Sequence, residues 1–243
     1  MADITEDAVL GGRLRLRQPK RGHRVGHDAI LLAAATPACP GEHAIDLGAG
    51  VGAAGLALAK RVEGLRVTLV EIDPALCALA QENAALNGLA SRVTVDQKDA
   101  AAVKGEADRV LMNPPFNDPA RTQSSPDPAK RLAHAATDDT LAVWIGAAAR
   151  LLRPGGTLTM IWRADGLGDI EATLREAFGG VCVLPVLPRE GAEPIRVLVR
   201  AEKGARASRE MLPGLALNDT AGRPSPAAEA ILREGKTLPL ATI

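Results

Sequence analysis

His43-Ala44-Ile45-Asp46-Leu47-Gly48-Ala49-Gly50-Val51-Gly52 is the stretch on which the fold turns. Ala44 to Leu47 reads as a short apolar strand. Three glycines follow at alternate positions, and residues 52–62 then carry a helical pattern. Strand, glycine turn and helix in that order open a βαβ unit. The glycines allow a tight turn and let a ligand come close to the backbone. Taken alone, the spacing serves plain helix–sheet packing equally well.

Downstream the alternation continues. Arg66 to Ile72 is rich in β-formers, and Pro74 opens a helix that runs to Asn87 with Gly88 as its stop. Further strands are expected at Arg92–Val95, Val110–Met112, Thr157–Trp162, 181–187 and 195–200. Helices are expected at 138–152, ending at Pro154-Gly155-Gly156, and at 166–178. This pattern predicts an α/β fold with a seven-stranded, mostly parallel sheet flanked by helices. Residues 43–202 form the expected central domain. Residues 1–42 hold a hairpin around Gly11-Gly12 and a short helix over 28–36, with Asp28 as N-cap. Residues 203–243 form an appendage with an extended piece at Leu215 and Leu217 and a helix near 226–234. Residues 117–131 carry three prolines and no apolar stripe, and read as a long functional loop.

Composition narrows the function. The chain has 243 residues, with 29 Lys+Arg against 29 Asp+Glu, so gross charge does not hold it to nucleic acid. Two Trp, two Phe and no Tyr exclude a row of stacked bases. Trp144 and Trp162 read as core residues. Cys39, Cys77 and Cys182 are scattered, as in a reducing cytosol. The acidic start is no signal peptide, and the longest apolar run, 29–40, is too short to span a bilayer. A cytoplasmic protein without membrane contact is expected. His23 and His27 lack a third ligand, and no metal site is expected.

Two sets of residues carry chemistry. Glu71 follows Gly52 by 19 residues, the place of the acid that holds ribose hydroxyls in nucleotide sites. Asp99, just after the third strand, stands where an Asp can reach an adenine amine; the other reading is a simple loop carboxylate. The second set is Asn113-Pro114-Pro115-Phe116. Two prolines fix φ twice and push Asn113 toward an extended conformation. The stiff corner holds an amide oxygen and a backbone carbonyl that accept both hydrogens of a planar amino group. That favours a pyramidal nitrogen with its lone pair free, and Phe116 stacks on the planar substrate. The other reading is a proline-rich turn with Phe116 in the core. If the glycine loop ends the first strand and this corner the fourth, both stand at one topological switch point.

The runs DLGAGVG, VEID and KDA resemble the cofactor site of Rossmann-like methyltransferases that use S-adenosyl-L-methionine. The resemblance implies that Asp46, Gly48, Gly50 and Gly52 surround the methionine part and that Glu71 holds the ribose. Asp99 and Ala100 then border the adenine, with Asn113 and Asp28 beside the methionine end. The Gly48-x-Gly50-x-Gly52 spacing departs from the dehydrogenase fingerprint. The NPPF corner is similar to that of methyltransferases of planar nitrogens, whose substrates are adenine N6, the guanine amine of RNA, or a glutamine amide of release factors. The short stretch LGGRLRLRQPKRGHRVGHDAILLAAA, and later PGGTLTMIWR, VLPVLPR and RVLVRAEKG, resemble the bacterial tRNA adenine-N6 methyltransferases acting beside the anticodon of a valine tRNA. Many of that family carry Tyr where Phe116 stands. The alternatives are a guanine-N2 RNA enzyme, a glutamine-N5 protein enzyme, and an RNA-binding module without catalysis.

Charge is uneven along the chain. Arg13, Arg15, Arg17, Lys20, Arg21 and Arg24 follow one another with no acid between them. Arg121, Lys130 and Arg131 lie after the NPPF corner, and Arg196, Arg200, Lys203, Arg206 and Arg209 lie near the end. These cations are expected to grip the phosphates of tRNA; the alternative is an ordinary solvated surface. Oligomeric state is not legible.

Overall fold

A computed structural model describes residues 3–21, 24–115 and 129–242, with side chains throughout except at 129–139. A hairpin of β1 (Ile4–Val9) and β2 (Leu14–Pro19) leads, through α1 (His27–Ala35), into the main sheet. There follow β3 (His43–Leu47), α2 (Ala53–Arg61), β4 (Arg66–Glu71), α3 (Pro74–Leu86), β5 (Val93–Gln97) and β6 (Ala107–Met112). Then come α4 (Ala129–Leu151), β7 (Leu152–Arg163), α5 (Leu167–Leu174), β8 (Phe178–Leu187) and β9 (Arg196–Lys203). Two short strands, β10 (Glu210–Met211) and β11 (Leu215–Ala216), and α6 (Pro226–Leu232) complete the elements.

Spatial order across the sheet is β10-β8-β9-β7-β6-β3-β4-β5, with β11 also pairing β8. Seven strands make the expected doubly wound sheet. Only β9 runs antiparallel to its neighbours, and β10 and β11 add short parallel extensions on the outer edge of β8. Alternation along each strand feeds two cores. Val67, Leu69, Leu111, Ile161 and Leu198 pack under α1, α2 and α3. Val70, Val110, Met112, Met160 and Trp162 pack under α4 and α5. With so few rings available, alanines let the helices lie close: Ala33, Ala34, Ala57 and Ala59 are all buried.

Several boundaries differ from expectation. Gly26, not Asp28, is the N-cap of α1, because the Asp28 carboxylate in the first turn pairs with Arg196, Nε to Oδ2 3.2 Å. Pro154-Gly155-Gly156 is no separating turn. It lies within β7, where pairing jumps from Ala107↔Leu152 to Arg109↔Thr157 as a bulge. α4 begins at 129, inside the segment read as loop. α5 stops at Leu174, since Phe178 already pairs with Lys203.

The hairpin is pinned by α3. Asn83 and Asn87, one turn apart, face β2 residues of matching period. Asn83 accepts from Arg17 N (2.7 Å) and donates to Arg17 O (3.0 Å); Asn87 does the same for Arg15, at 2.9 and 2.7 Å. Asn83 also donates to Val51 O at 3.0 Å, so one buried amide ties the hairpin to the glycine loop.

Candidate active site

β3 pairs with β4 on one side and β6 on the other, with Leu47 opposite Met112. Chain order reverses there, so the glycine loop after β3 and the Asn113 corner after β6 share one crevice at the carboxyl end of the sheet.

The loop needs its glycines: φ is +67° at Gly48, +57° at Gly50 and +88° at Gly52. Glu71 holds it from the next strand. One carboxylate oxygen accepts from Gly50 N at 2.8 Å; the other accepts from Ile72 N (2.8 Å) and Asp73 N (3.0 Å). Beside it Asp46 is buried and accepts from Gly55 N at 2.8 Å. Burial pushes the Asp46 carboxyl up to about 7, opposed by the Gly55 N–H and reinforced by the negative charge of Glu71.

A raised folded-state value means the folded protein binds this proton more readily. The stabilisation is present below the usual carboxylate range, about 4, and is lost as pH rises through about 7. Asp46→Asn keeps an acceptor for Gly55 without the buried charge. Its melting temperature, measured from about pH 4 to about pH 8, is expected to gain steadily on that of wild type. A gap that stays constant across that range rules the assignment out.

Asp99 is exposed, and its Oδ1 accepts from Ala101 N at 2.8 Å, which shapes the turn that carries buried Ala100. At the corner, Pro114 is buried and Pro115 exposed. Asn113 Oδ1 is buried, and among the described residues it has no hydrogen-bond partner. An orphaned acceptor costs about 1–3 kcal/mol, so its position points to a ligand donor.

Two contributors escaped the sequence. Ile72, next to Glu71, is 63% exposed, an apolar surface where a buried strand would normally end in polar residues. The Trp144 ring, half-buried rather than fully in the core like Trp162, lies against Gly48: a Cβ there would stand 2.3 Å from its Cη2 atom. The VEID run gave a signal for Ile72. Nothing local signals Trp144, which comes from the helix beyond the NPPF corner.

The basic stretch is corrected by the structure. β1 lies beside it, and its acids meet the arginines: Arg15 and Arg17 with Glu6, Arg24 with Asp7 (2.9 Å) and Lys20 with Asp3 (3.3 Å). Arg17 also meets Glu82, and Arg13 donates to the Glu234 carbonyl. The expectation of cations without local counter-charge fails, because strand pairing supplies acids that linear distance conceals. Near the end, Arg209 pairs with Glu171, while Arg200 and Lys203 donate to backbone carbonyls. Arg21 is exposed. Phe116, Arg121 and His23 lie outside the described residues, as do the side chains of Lys130 and Arg131. Among the described residues no group of His, Cys, Asp or Glu gathers as a metal site, and no helix is long and apolar enough to cross a membrane.

The strand order, the glycine loop with its acid on the next strand, and the amide corner opposite together define a Rossmann-like methyltransferase, a class whose methyl donor is S-adenosylmethionine. Residues 24–186 match the family model of the methyltransferase small domain, and the chain belongs to that family. The tRNA1(Val) (adenine(37)-N6)-methyltransferase of Aeromonas hydrophila is 34% identical over 187 residues, covering 74% of this chain and 77% of the relative. The release factor glutamine methyltransferase of Moorella thermoacetica is 35% identical over 158 residues, covering 62% of this chain and 56% of the relative. Among solved structures, a predicted O-methyltransferase from Agrobacterium tumefaciens superposes with a TM-score of 0.72 at 26% identity, covering 87% of this chain and 98% of that one.

Proposed function

We propose that this protein transfers a methyl group from S-adenosylmethionine to the N6 amine of an adenine in tRNA. The observation that carries the proposal is the buried Asn113 Oδ1 at the switch point, which has no hydrogen-bond partner among the described residues. The adenine-N6 relative spans the hairpin-bearing chain more fully than the glutamine relative, which favours a base over a peptide amide.

The residues present fit the cofactor. Space beside Gly50 is open, so its backbone is approachable; Glu71 stands at the end of the next strand; and Ile72 offers an apolar face to a purine. When bound, S-adenosylmethionine supplies an electrophilic methyl group. Gly48, Gly50 and Gly52 with Asp46 would border its methionine part, Glu71 the ribose, and Asp99, Ala100 and Ile72 the adenine. Asn113 Oδ1 and the Pro114 carbonyl accept the two N6 hydrogens, and this localises the nitrogen lone pair for in-line attack. Phe116 stacks on the base, which must leave any helical stack to reach it. After attack the nitrogen is cationic and acidic, and its proton passes to water without a strong base. The division into a flanking segment (1–42), a transfer domain (43–202) and an appendage (203–243) is part of the same proposal.

The test is incubation with radiolabelled S-adenosylmethionine and total RNA, or total protein, from cells lacking the enzyme. Label recovered as N6-methyladenosine in tRNA is expected. Label in protein, or in another nucleoside, overturns the assignment.

A further inference from the structure

Resting on that functional reading, we propose that Arg163 and Arg196 form a phosphate clamp beside the Asn113 corner and hold the backbone of the nucleotide whose base is methylated. In the antiparallel pairing of β7 with β9 these two arginines stand directly opposite each other. Like charges facing across strands repel, and here each is already met by one acid, Asp165 for Arg163 and Asp28 for Arg196, of which the exposed Asp165 is the one a phosphate would displace. Arg163 ends β7 and Arg196 begins β9, so both lie at the carboxyl edge of the sheet, where the crevice opens.

Side-chain alternation places them on the Asn113 side of the sheet. Leu111, Ile161 and Leu198 share one core, whereas Met112, Trp162 and Val197 share the other. Asn113, Arg163 and Arg196 each lie two residues from a member of the first group, on the face covered by α1. Met112 pairs with Met160 and Met160 with Val199. By strand spacing and rise, the Arg163 backbone then lies roughly 8 Å from that of Asn113, and Arg196 roughly 12 Å. That span suits a base on the amide corner with its own phosphodiester at the arginines.

Neither group is a loose surface charge. Their side chains are 12% and 20% exposed; Arg196 Nε donates to Asp28 at 3.2 Å, and Arg163 Nε lies 3.3 Å from an Asp165 oxygen as an ion pair without hydrogen-bond geometry. Asp165 is 68% exposed, and such a pair is worth little against a phosphate, which guanidinium binds with a planar fork. Asp28 thereby acts as an orienting residue for Arg196.

The test compares full-length wild type with Arg163→Gln, Arg196→Gln and the matching Lys variants, using the tRNA transcript that becomes labelled in the assay above. Each Gln variant is expected to raise KM for RNA about tenfold and to leave the Kd for S-adenosylmethionine unchanged. The slope of log Kd against log salt should fall by about 0.7–0.9 per arginine, and Lys should restore it. A purely structural strut would leave that slope unchanged, and an unchanged slope overturns the clamp. A second measurement needs no variant. A neutral methylphosphonate at either phosphate flanking the target adenine should weaken binding to wild type about tenfold. Full affinity at both positions also overturns the proposal. If wild type methylates no tRNA, the functional reading fails first, a result distinguishable from failure of the clamp alone.

Discussion

Asn113→Ala is expected to lower kcat by roughly 10²–10³-fold while the folded protein becomes no less stable. The two effects share one cause. Asn113 Oδ1 is buried without a partner among the described residues, so folding removes its water and returns nothing. Truncation to Ala deletes that unsatisfied atom, and the melting temperature should hold or rise, as where activity is built on local cost. In the proposed mechanism catalysis loses an acceptor fixed by two prolines, one of the two that would bind the reacting amine. The Kd for S-adenosylmethionine should change by no more than a few fold, because the proposed cofactor contacts fall mainly on Glu71 and the glycine loop. Asn113→Asp keeps an acceptor and should retain more activity than Ala. Measured kcat, cofactor Kd and melting temperature decide the matter together. A variant that turns over normally ends the amide mechanism, and one that melts much earlier shows that Asn113 supports the fold instead.

The parts of this molecule that were legible in sequence are those whose signals are local. Three glycines after an apolar strand, an acid one strand on and two prolines behind an Asn each express a backbone demand within a few residues. The pairing Leu47↔Met112 then joins them at one crevice. Illegible parts depend on contacts across the fold. The arginines of β2 read as an uncompensated cationic run, yet Glu6 and Asp7, neighbours only through the hairpin, take up their charge. Asp28 looked like a cap because caps are recognised locally, but its partner Arg196 lies at the far end of the sheet. Asn83 was read only as part of a helix, since nothing near it announces a bond to the carbonyl of Val51. Trp144 was assigned to the core by the same logic. Its helix does pack on the sheet, but the ring ends on the glycine loop, against Gly48.

That contact yields the second large effect. Gly48→Ala is expected to weaken S-adenosylmethionine binding by at least about tenfold and to lower the melting temperature. Gly48 sits at φ +67°, a conformation that costs a residue with a Cβ about 1–2 kcal/mol. The added methyl would also stand 2.3 Å from Trp144 Cη2 and 2.9 Å from Cζ3, so either the ring or the loop must move. Gly50 separates the two contributions. Its φ is +57°, but a Cβ there meets nothing within 4 Å among the described residues, so Gly50→Ala carries backbone strain without the collision. Combining Gly48→Ala with Trp144→Leu removes the collision and keeps the strain. The double variant should therefore recover toward the level of Gly50→Ala, with a coupling of about 0.5–3 kcal/mol between the two sites. Titration calorimetry with the cofactor and thermal melts of wild type, Gly48→Ala, Trp144→Leu, the double variant and Gly50→Ala measure it. Strict additivity would mean that the ring yields freely and only the left-handed backbone demands glycine. Strong coupling makes Trp144 a wall of the cofactor site, and its ring should then report binding, because the other tryptophan, Trp162, is 1% exposed in the core.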